Sequence, residues 1–258
     1  MKVVTIANQK GGIGKTTTAT TMANMLSKSG KKTLLIDTDA QCNSTDVYSA
    51  STEGVPTIYD VILSSEDKRV SLKDAIQHTS YGDIVASDRL LVDAEAILMA
   101  DRTGGMYRLS DALNEAMLDY DYVIIDTNPA VNSLLYNTLI ASDEVIIPVT
   151  ADRFGMAGLS QLVDTINEVR KRPNPKLKVS GLLLIKYKGR TNLGQTLRDD
   201  LLTVADKMDT VLFDTTIRES VKVQEAQALG KPLVEYAPNN NSTLDYEAFL
   251  KEYIQGDK

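Results

Sequence analysis

The sequence predicts an α/β protein in which a parallel sheet carries helices on both faces. Three observations predict it. Short β-branched, apolar runs alternate along the 258 residues with longer segments of helical period. The runs are nearly continuous in apolar residues, as strands buried on both faces require. Strand–helix alternation of this kind builds parallel crossover units.

The strands are expected at 2–8 (KVVTIAN), 32–37 (KTLLID), 83–86 (DIVA), 122–126 (YVIID), 144–149 (EVIIPV) and 179–185 (VSGLLLI). The first helix is expected over 17–29, where Ala19, Met22, Ala23 and Leu26 repeat at helical spacing. Further helices are expected at 91–100, 107–118, 132–140, 155–170, 192–208 and 244–254. Pro173 and Pro175 mark a short turn before a strand, and 238–242 (PNNNS) reads as a loop before the last helix. No linker or repeat divides the chain, so residues 1–258 are expected to form one domain.

Hydrophobic content of 43% with 24% charged residues is ordinary globular composition. Net charge is −7, which argues against a surface coated for nucleic acid and leaves room for a local patch. Residues 151–231 hold 14 of the 28 Lys and Arg but only 10 of the 35 Asp and Glu, a local excess of positive charge. Cys42 is the single cysteine, so an intrachain disulfide and a cysteine metal cluster are both excluded. No run approaches the roughly 18 apolar residues of a membrane span, and the N-terminal run meets glycines at once. A reducing, cytoplasmic location is expected. His78, the only histidine, is expected in a loop with no catalytic part.

The chemistry concentrates in IANQKGGIGKTTT, residues 6–18. Glycines at 11, 12 and 14 follow a buried strand and open a helix. Their freedom lets the backbone curl its N–H groups around an anion, and the helix start adds partial positive charge. Gly11, Gly12, Ile13, Gly14, Lys15, Thr16 and Thr17 are therefore expected to bind the phosphates of a nucleotide. Lys15 can reach the β- and γ-phosphates, and the Thr16 hydroxyl can hold Mg²⁺. The usual phosphate-loop spacing fails, because Gln9 stands where its first glycine belongs. Lys10 is an extra lysine at the front.

Two further stretches supply carboxylates. LLIDTDAQCNST places Asp37 and Asp39 two apart at a strand end, on one face. Two carboxylates beside a phosphate site call for a cation. YDYVIIDTNPA ends a buried strand at Asp126, where ligands bind in open α/β sheets.

Together these stretches resemble the deviant Walker A ATPases of the ParA/MinD group, and the resemblance runs over nearly the whole chain. KGGIGKT matches the signature loop. LLIDTDAQCN is similar to the family's L-L-x-D-x-D-P-Q-G-N, with Ala40 for Pro and Cys42 for Gly. VIIDTNP is similar to its D-x-P-P block, with Asn128 for the first proline. The resemblance implies a doubly wound, mostly parallel sheet, ATP and Mg²⁺ as cofactors, and an ATP-driven sandwich homodimer. Asp39 would orient the attacking water. Asp37 and Asp126 would serve the magnesium shell with Thr16, and Lys10 would reach the partner's nucleotide.

LLIKYKGRTNLG and DTTIRESVKVQEAQALGKPLVEY resemble two later blocks. In the ParA branch their basic residues bind DNA without sequence preference. Arg190 and Lys222 are the best matches, with Arg218 and Lys188 as neighbours. Residues 217–220 would wall the adenine. The expected function is a Soj-like DNA-segregation ATPase, nucleoid-associated and released from DNA when a ParB-type partner stimulates hydrolysis. Two alternatives keep the nucleotide: positioning a protein cluster or surface cargo, or a nucleotide-gated scaffold with little turnover. The last helix carries Asp245, Glu247 and Glu252 against Lys251, which disfavours anionic lipid, so no membrane partner is expected. Its Leu244, Phe249, Leu250 and Ile254 read as a packing face.

Overall fold

The computed structural model describes residues 1–63, 68–101, 104–150, 153–187 and 192–256. The chain folds around one eight-stranded sheet, in the order β3-β4-β2-β5-β1-β6-β7-β8. The strands are β1 (Lys2–Ile6), β2 (Thr33–Asp37), β3 (Ile76–Thr79), β4 (Gly82–Val85), β5 (Tyr122–Asp126), β6 (Glu144–Thr150), β7 (Lys178–Tyr187) and β8 (Ile217–Arg218). All neighbours pair in parallel except β3 with β4, an antiparallel hairpin at one edge.

Alternation along each strand feeds two cores. Val4, Ile6, Leu35 and Ile124 face one side, against Met22 and Leu26 of α1 (Lys15–Lys28) and Phe249 of the last helix. Val3, Leu34, Ile36, Val123 and Ile125 face the other, against α3 (Ile58–Ile62), α4 (Ala94–Ala100) and α5 (Arg108–Ala116). Further along the sheet Val145, Ile147 and Val149 pack beneath α6 (Ser133–Ala141) and α7 (Arg153–Lys171). The doubly wound class follows, and both faces of the central strands are buried as their unbroken apolar runs require.

Six helices stand close to their expected places, although 91–100 divides into a 3-10 turn at Arg89–Asp93 followed by α4. α8 is Asn192–Lys207. Four short helices were not legible: α2 (Asn43–Val47), α3, α9 (Val221–Ala228) and α10 (Leu233–Tyr236). The last, α11, runs Asn241–Gly256, so it begins inside the expected PNNNS loop.

β3 and β8 were missed because neither has an apolar run; β8 is only two residues long. His78 therefore lies in a strand, opposite Asp83, with Nδ1 2.7 Å from its Oδ1. Within α11, Leu244 is 45% exposed, whereas Tyr246 and Tyr253 are buried beside Phe249 and Leu250. The tyrosines bury because each hydroxyl finds a partner: Tyr246 meets the Thr18 hydroxyl at 3.0 Å, and Tyr253 donates to Glu144 at 2.6 Å.

β1 lies between β5 and β6 in the sheet. The chain leaves β1 towards β2 on one side and later crosses to β6 on the other. Such a switch point opens a crevice at the carboxyl ends of the strands. The glycine-rich loop sits there.

Candidate active site

The loop turns through two left-handed glycines, Gly12 (φ 69) and Gly14 (φ 89), and Gly14 caps α1. A cleft of about 480 Å³ opens above it, lined by Gly11, Gly12, Gly14, Lys15, Thr16, Thr17 and Asp39 among others. Ile217, Arg218, Glu219 and Ser220 form part of its wall, as do Gln224 and Gln227 of α9. Gln227 donates to the Thr17 hydroxyl at 2.8 Å and so ties α9 to the loop.

The two lysines of the loop part company. Lys15 is buried, with Nζ donating to the Lys10 carbonyl at 3.2 Å. Burial pulls its pKa down, and the charges of Asp126 and Asp39 push it only part of the way back. Lys10 does not line the cleft; its Nζ donates to the Thr150 hydroxyl at 3.2 Å, at the end of β6.

The carboxylates divide by role as well. Asp37 and Asp126 face each other across neighbouring strands, in register and without solvent exposure. Asp37 accepts the Asp39 N–H at 3.1 Å, and the Thr45 N–H and hydroxyl at 2.9 and 2.8 Å. It thus pins the start of α2 below the cleft. Asp126 accepts the Ser44 hydroxyl on Oδ2 at 2.8 Å, while its buried Oδ1 has no hydrogen-bond partner. Asp39 is half-buried on the cleft wall and accepts the Gln41 N–H at 3.0 Å.

Burial raises the pKa of both Asp37 and Asp126; for Asp37 the Asp126 charge is the next cause. Ser44, Thr16 and Lys15 pull Asp126 back down without cancelling burial. A carboxyl raised on folding stabilises the folded state fully below the ordinary carboxylate range. That stabilisation is lost as pH rises through the raised values. Thermal unfolding without nucleotide should therefore show stability falling between about pH 4 and pH 8, by on the order of 2 kcal/mol, roughly 4–8 °C. Asp126→Asn should flatten the slope, and equal slopes in variant and wild type would contradict this account.

The orphaned Oδ1, beside Thr16 and Lys15, fits a hard cation with oxygen ligands. Among the described residues no three His, Cys, Asp or Glu side chains form a metal cage by themselves. That suits Mg²⁺, which takes only one or two carboxylates and completes its shell with phosphate and water.

The departures at the carboxylates have local explanations. Cys42 is buried in a left-handed conformation (φ 55) just before α2, a position that favours glycine. Asn128 accepts the Ala130 N–H at 3.1 Å and so turns the chain where a proline would have stiffened it.

The expected DNA contacts are less uniform. Arg218 makes a two-pronged ion pair with Asp245, at 2.6 and 2.9 Å. Lys222 pairs with Glu225 at 2.7 Å and stands 5.6 Å over the Tyr236 ring. Lys188 and Arg190 lie outside the described residues.

Two residues of consequence were missed in the sequence. Ser87, fully buried at the end of β4, donates its hydroxyl to the Asp39 carbonyl at 2.7 Å and its N–H to Thr45 at 2.8 Å. Lys186 donates to the Gly12 carbonyl at 2.6 Å. A lone serine carried no signal; the lysine sits in a stretch singled out only for its later cations.

A left-handed glycine loop at a sheet switch point, with a buried lysine and paired aspartates, defines a phosphate-loop nucleoside-triphosphate-binding protein. A family model described as an AAA domain matches residues 1–179. The chain is 35% identical over 255 residues to the sporulation initiation inhibitor protein Soj of Bacillus subtilis, covering 97% of each. It is 34% identical over 264 residues to the chromosome partitioning protein ParA of Caulobacter vibrioides, covering 100% of this chain and 96% of ParA. Cobyrinic acid a,c-diamide synthase from Mycobacterium smegmatis, solved with an ATP analogue and magnesium, superposes with a TM-score of 0.81. Its identity is 28%, over 97% of this chain and 93% of that one. The chain belongs to the ParA/Soj-type family of deviant Walker A ATPases.

Proposed function

We propose that residues 1–258 act as one DNA-segregation ATPase domain. It forms a sandwich dimer on Mg-ATP, binds DNA without sequence preference, and lets go when a ParB-type partner speeds hydrolysis. The observation that carries this reading is the separation of the two loop lysines. Lys15 is buried on the lining of the cleft, with its Nζ on the Lys10 carbonyl, where it would meet the phosphates of its own subunit. Lys10 is not on the cleft lining; its Nζ rests on Thr150 at the end of a strand, and in the dimer it would reach the nucleotide of the second copy.

Bound magnesium would neutralise charge on the β- and γ-phosphates. Thr16 and Asp126 would hold it, and Asp37 would support that shell by fixing α2. Lys15 and the N–H groups of residues 11–17 bind the phosphates and keep them from recoiling. Asp39 orients the attacking water. The wall at residues 217–220 takes the adenine. The relative named for chromosome partitioning and the excess of positive charge in 151–231 support DNA as the substrate of the dimer.

One observation favours a second reading. Arg218 and Lys222 are each neutralised by a carboxylate of the same chain, which weakens half of the expected patch and suits a protein cargo. Binding of a fluorescent DNA duplex separates the two. Binding should require ATP, fail with ADP, and fall steeply with salt as phosphate contacts are screened. Arg190→Glu with Lys222→Glu should abolish it while hydrolysis survives. DNA binding that ignores nucleotide and salt would overturn the switch. An ATP-dependent dimer that binds no DNA would favour the protein cargo.

A further inference from the structure

β7 pairs with β8 in register on either side of one irregularity, between Ile185 and Tyr187. The extra residue is Lys186, a β-bulge with φ 52. A lysine has no short polar side chain to ease the left-handed region, so the conformation costs energy and persists only where the surroundings impose it. Bulges beside binding sites re-aim a side chain that regular alternation would send elsewhere. Here Lys186 lines the nucleotide cleft, and its ammonium donates to the Gly12 carbonyl at 2.6 Å. The neighbouring Ile185 presses on the same loop: a Cβ at Gly14 would stand 3.1 Å from its Cδ1.

Gly12 is the first of the two glycines on which the loop turns left-handed. Its peptide is planar, so holding the carbonyl also fixes the direction of the next N–H. Without that hold, two exposed glycines in succession would sample many turns before an anion arrived. A lysine making a chance surface contact would sit in ordinary strand geometry. The left-handed bulge, the short charge-assisted bond and the place on the cleft wall coincide on one residue.

We propose that Lys186 is a positioning residue for the phosphate loop. It holds the Gly12 carbonyl so that the loop is set before nucleotide binds, and it adds a second lysine, with Lys15, to the lining of the cleft. The inference rests on the nucleotide-binding reading above.

The test is titration of the full chain with fluorescent ADP and with ATP, both with magnesium, alongside thermal unfolding without nucleotide. Lys186 is exposed, so its variants should fold. Lys186→Met should weaken both nucleotides about tenfold, the lower range for a hydrogen bond to a charged group. Lys186→Arg should retain most of the affinity. Lys186→Gly should lose affinity as Lys186→Met does, yet melt no lower than wild type because glycine relieves the left-handed strain. Loss of affinity without loss of stability is the signature of a positioning role. Wild-type affinity in both Lys186→Met and Lys186→Gly would overturn the inference while leaving nucleotide binding intact. A wild-type chain that binds neither nucleotide would overturn both.

Discussion

Asp39→Ala is expected to keep ATP bound and the chain dimeric while slowing hydrolysis about 100-fold or more, the usual worth of a positioned base or water-orienting group. Of Asp37, Asp39 and Asp126, Asp39 is the one that lines the cleft and is not fully buried. Asp37 spends its oxygens on Asp39 and Thr45 backbone and hydroxyl groups, and Asp126 sits beneath Thr16 and Lys15. Removing Asp39 leaves the phosphate loop, its glycines and Lys15 in place. ATP affinity should then change little, and the ATP dimer should outlive that of the wild type because hydrolysis no longer ends it. Phosphate release in a single turnover, with light scattering for the dimer, measures both. Unchanged turnover would remove Asp39 from this role.

Lys10→Ala should bind ATP nearly as well as wild type yet lose hydrolysis by about 10³-fold, comparable to withdrawing a cation supplied to the transition state from a second subunit. Its ammonium rests on Thr150 of its own chain and Lys10 is not on the cleft lining, so monomeric nucleotide binding should not depend on it. A mixing experiment separates reach across the dimer from action within one subunit. Lys15→Ala should fail to hold nucleotide but still carry Lys10. Mixed with Lys10→Ala, it should restore activity at one of the two sites. If Lys10→Ala alone dimerises and hydrolyses normally, or if the mixture recovers nothing, the cross-subunit account fails.

Much of this site is local in sequence, which is why it could be read there. The loop needs its glycines, lysine and threonine within six successive positions, because backbone N–H groups and one helix start must converge on a single anion. Asp37 and Asp126 each end an apolar strand, and a strand end in a parallel sheet is a definite place. The departure at Cys42 is different: only the left-handed backbone before α2 explains why the family pattern has glycine there.

Other parts depend on neighbours that the sequence does not place together. β3 and β8 have no apolar run; pairing with β4 and β7 makes them strands. Arg218 and Lys222 read as open cations until Asp245 and Glu225 are seen beside them. Ser87 reaches Asp39 across 48 positions and Lys186 reaches Gly12 across 174. By itself the sequence determined the alternating α/β plan, the phosphate loop and the strand-end carboxylates, because these depend on residues within one turn or strand. Only the tertiary structure decided which cations are already paired, which of Asp37, Asp39 and Asp126 lines the cleft, and what touches the loop from β7, because hydrogen bonds and burial join residues far apart in the chain.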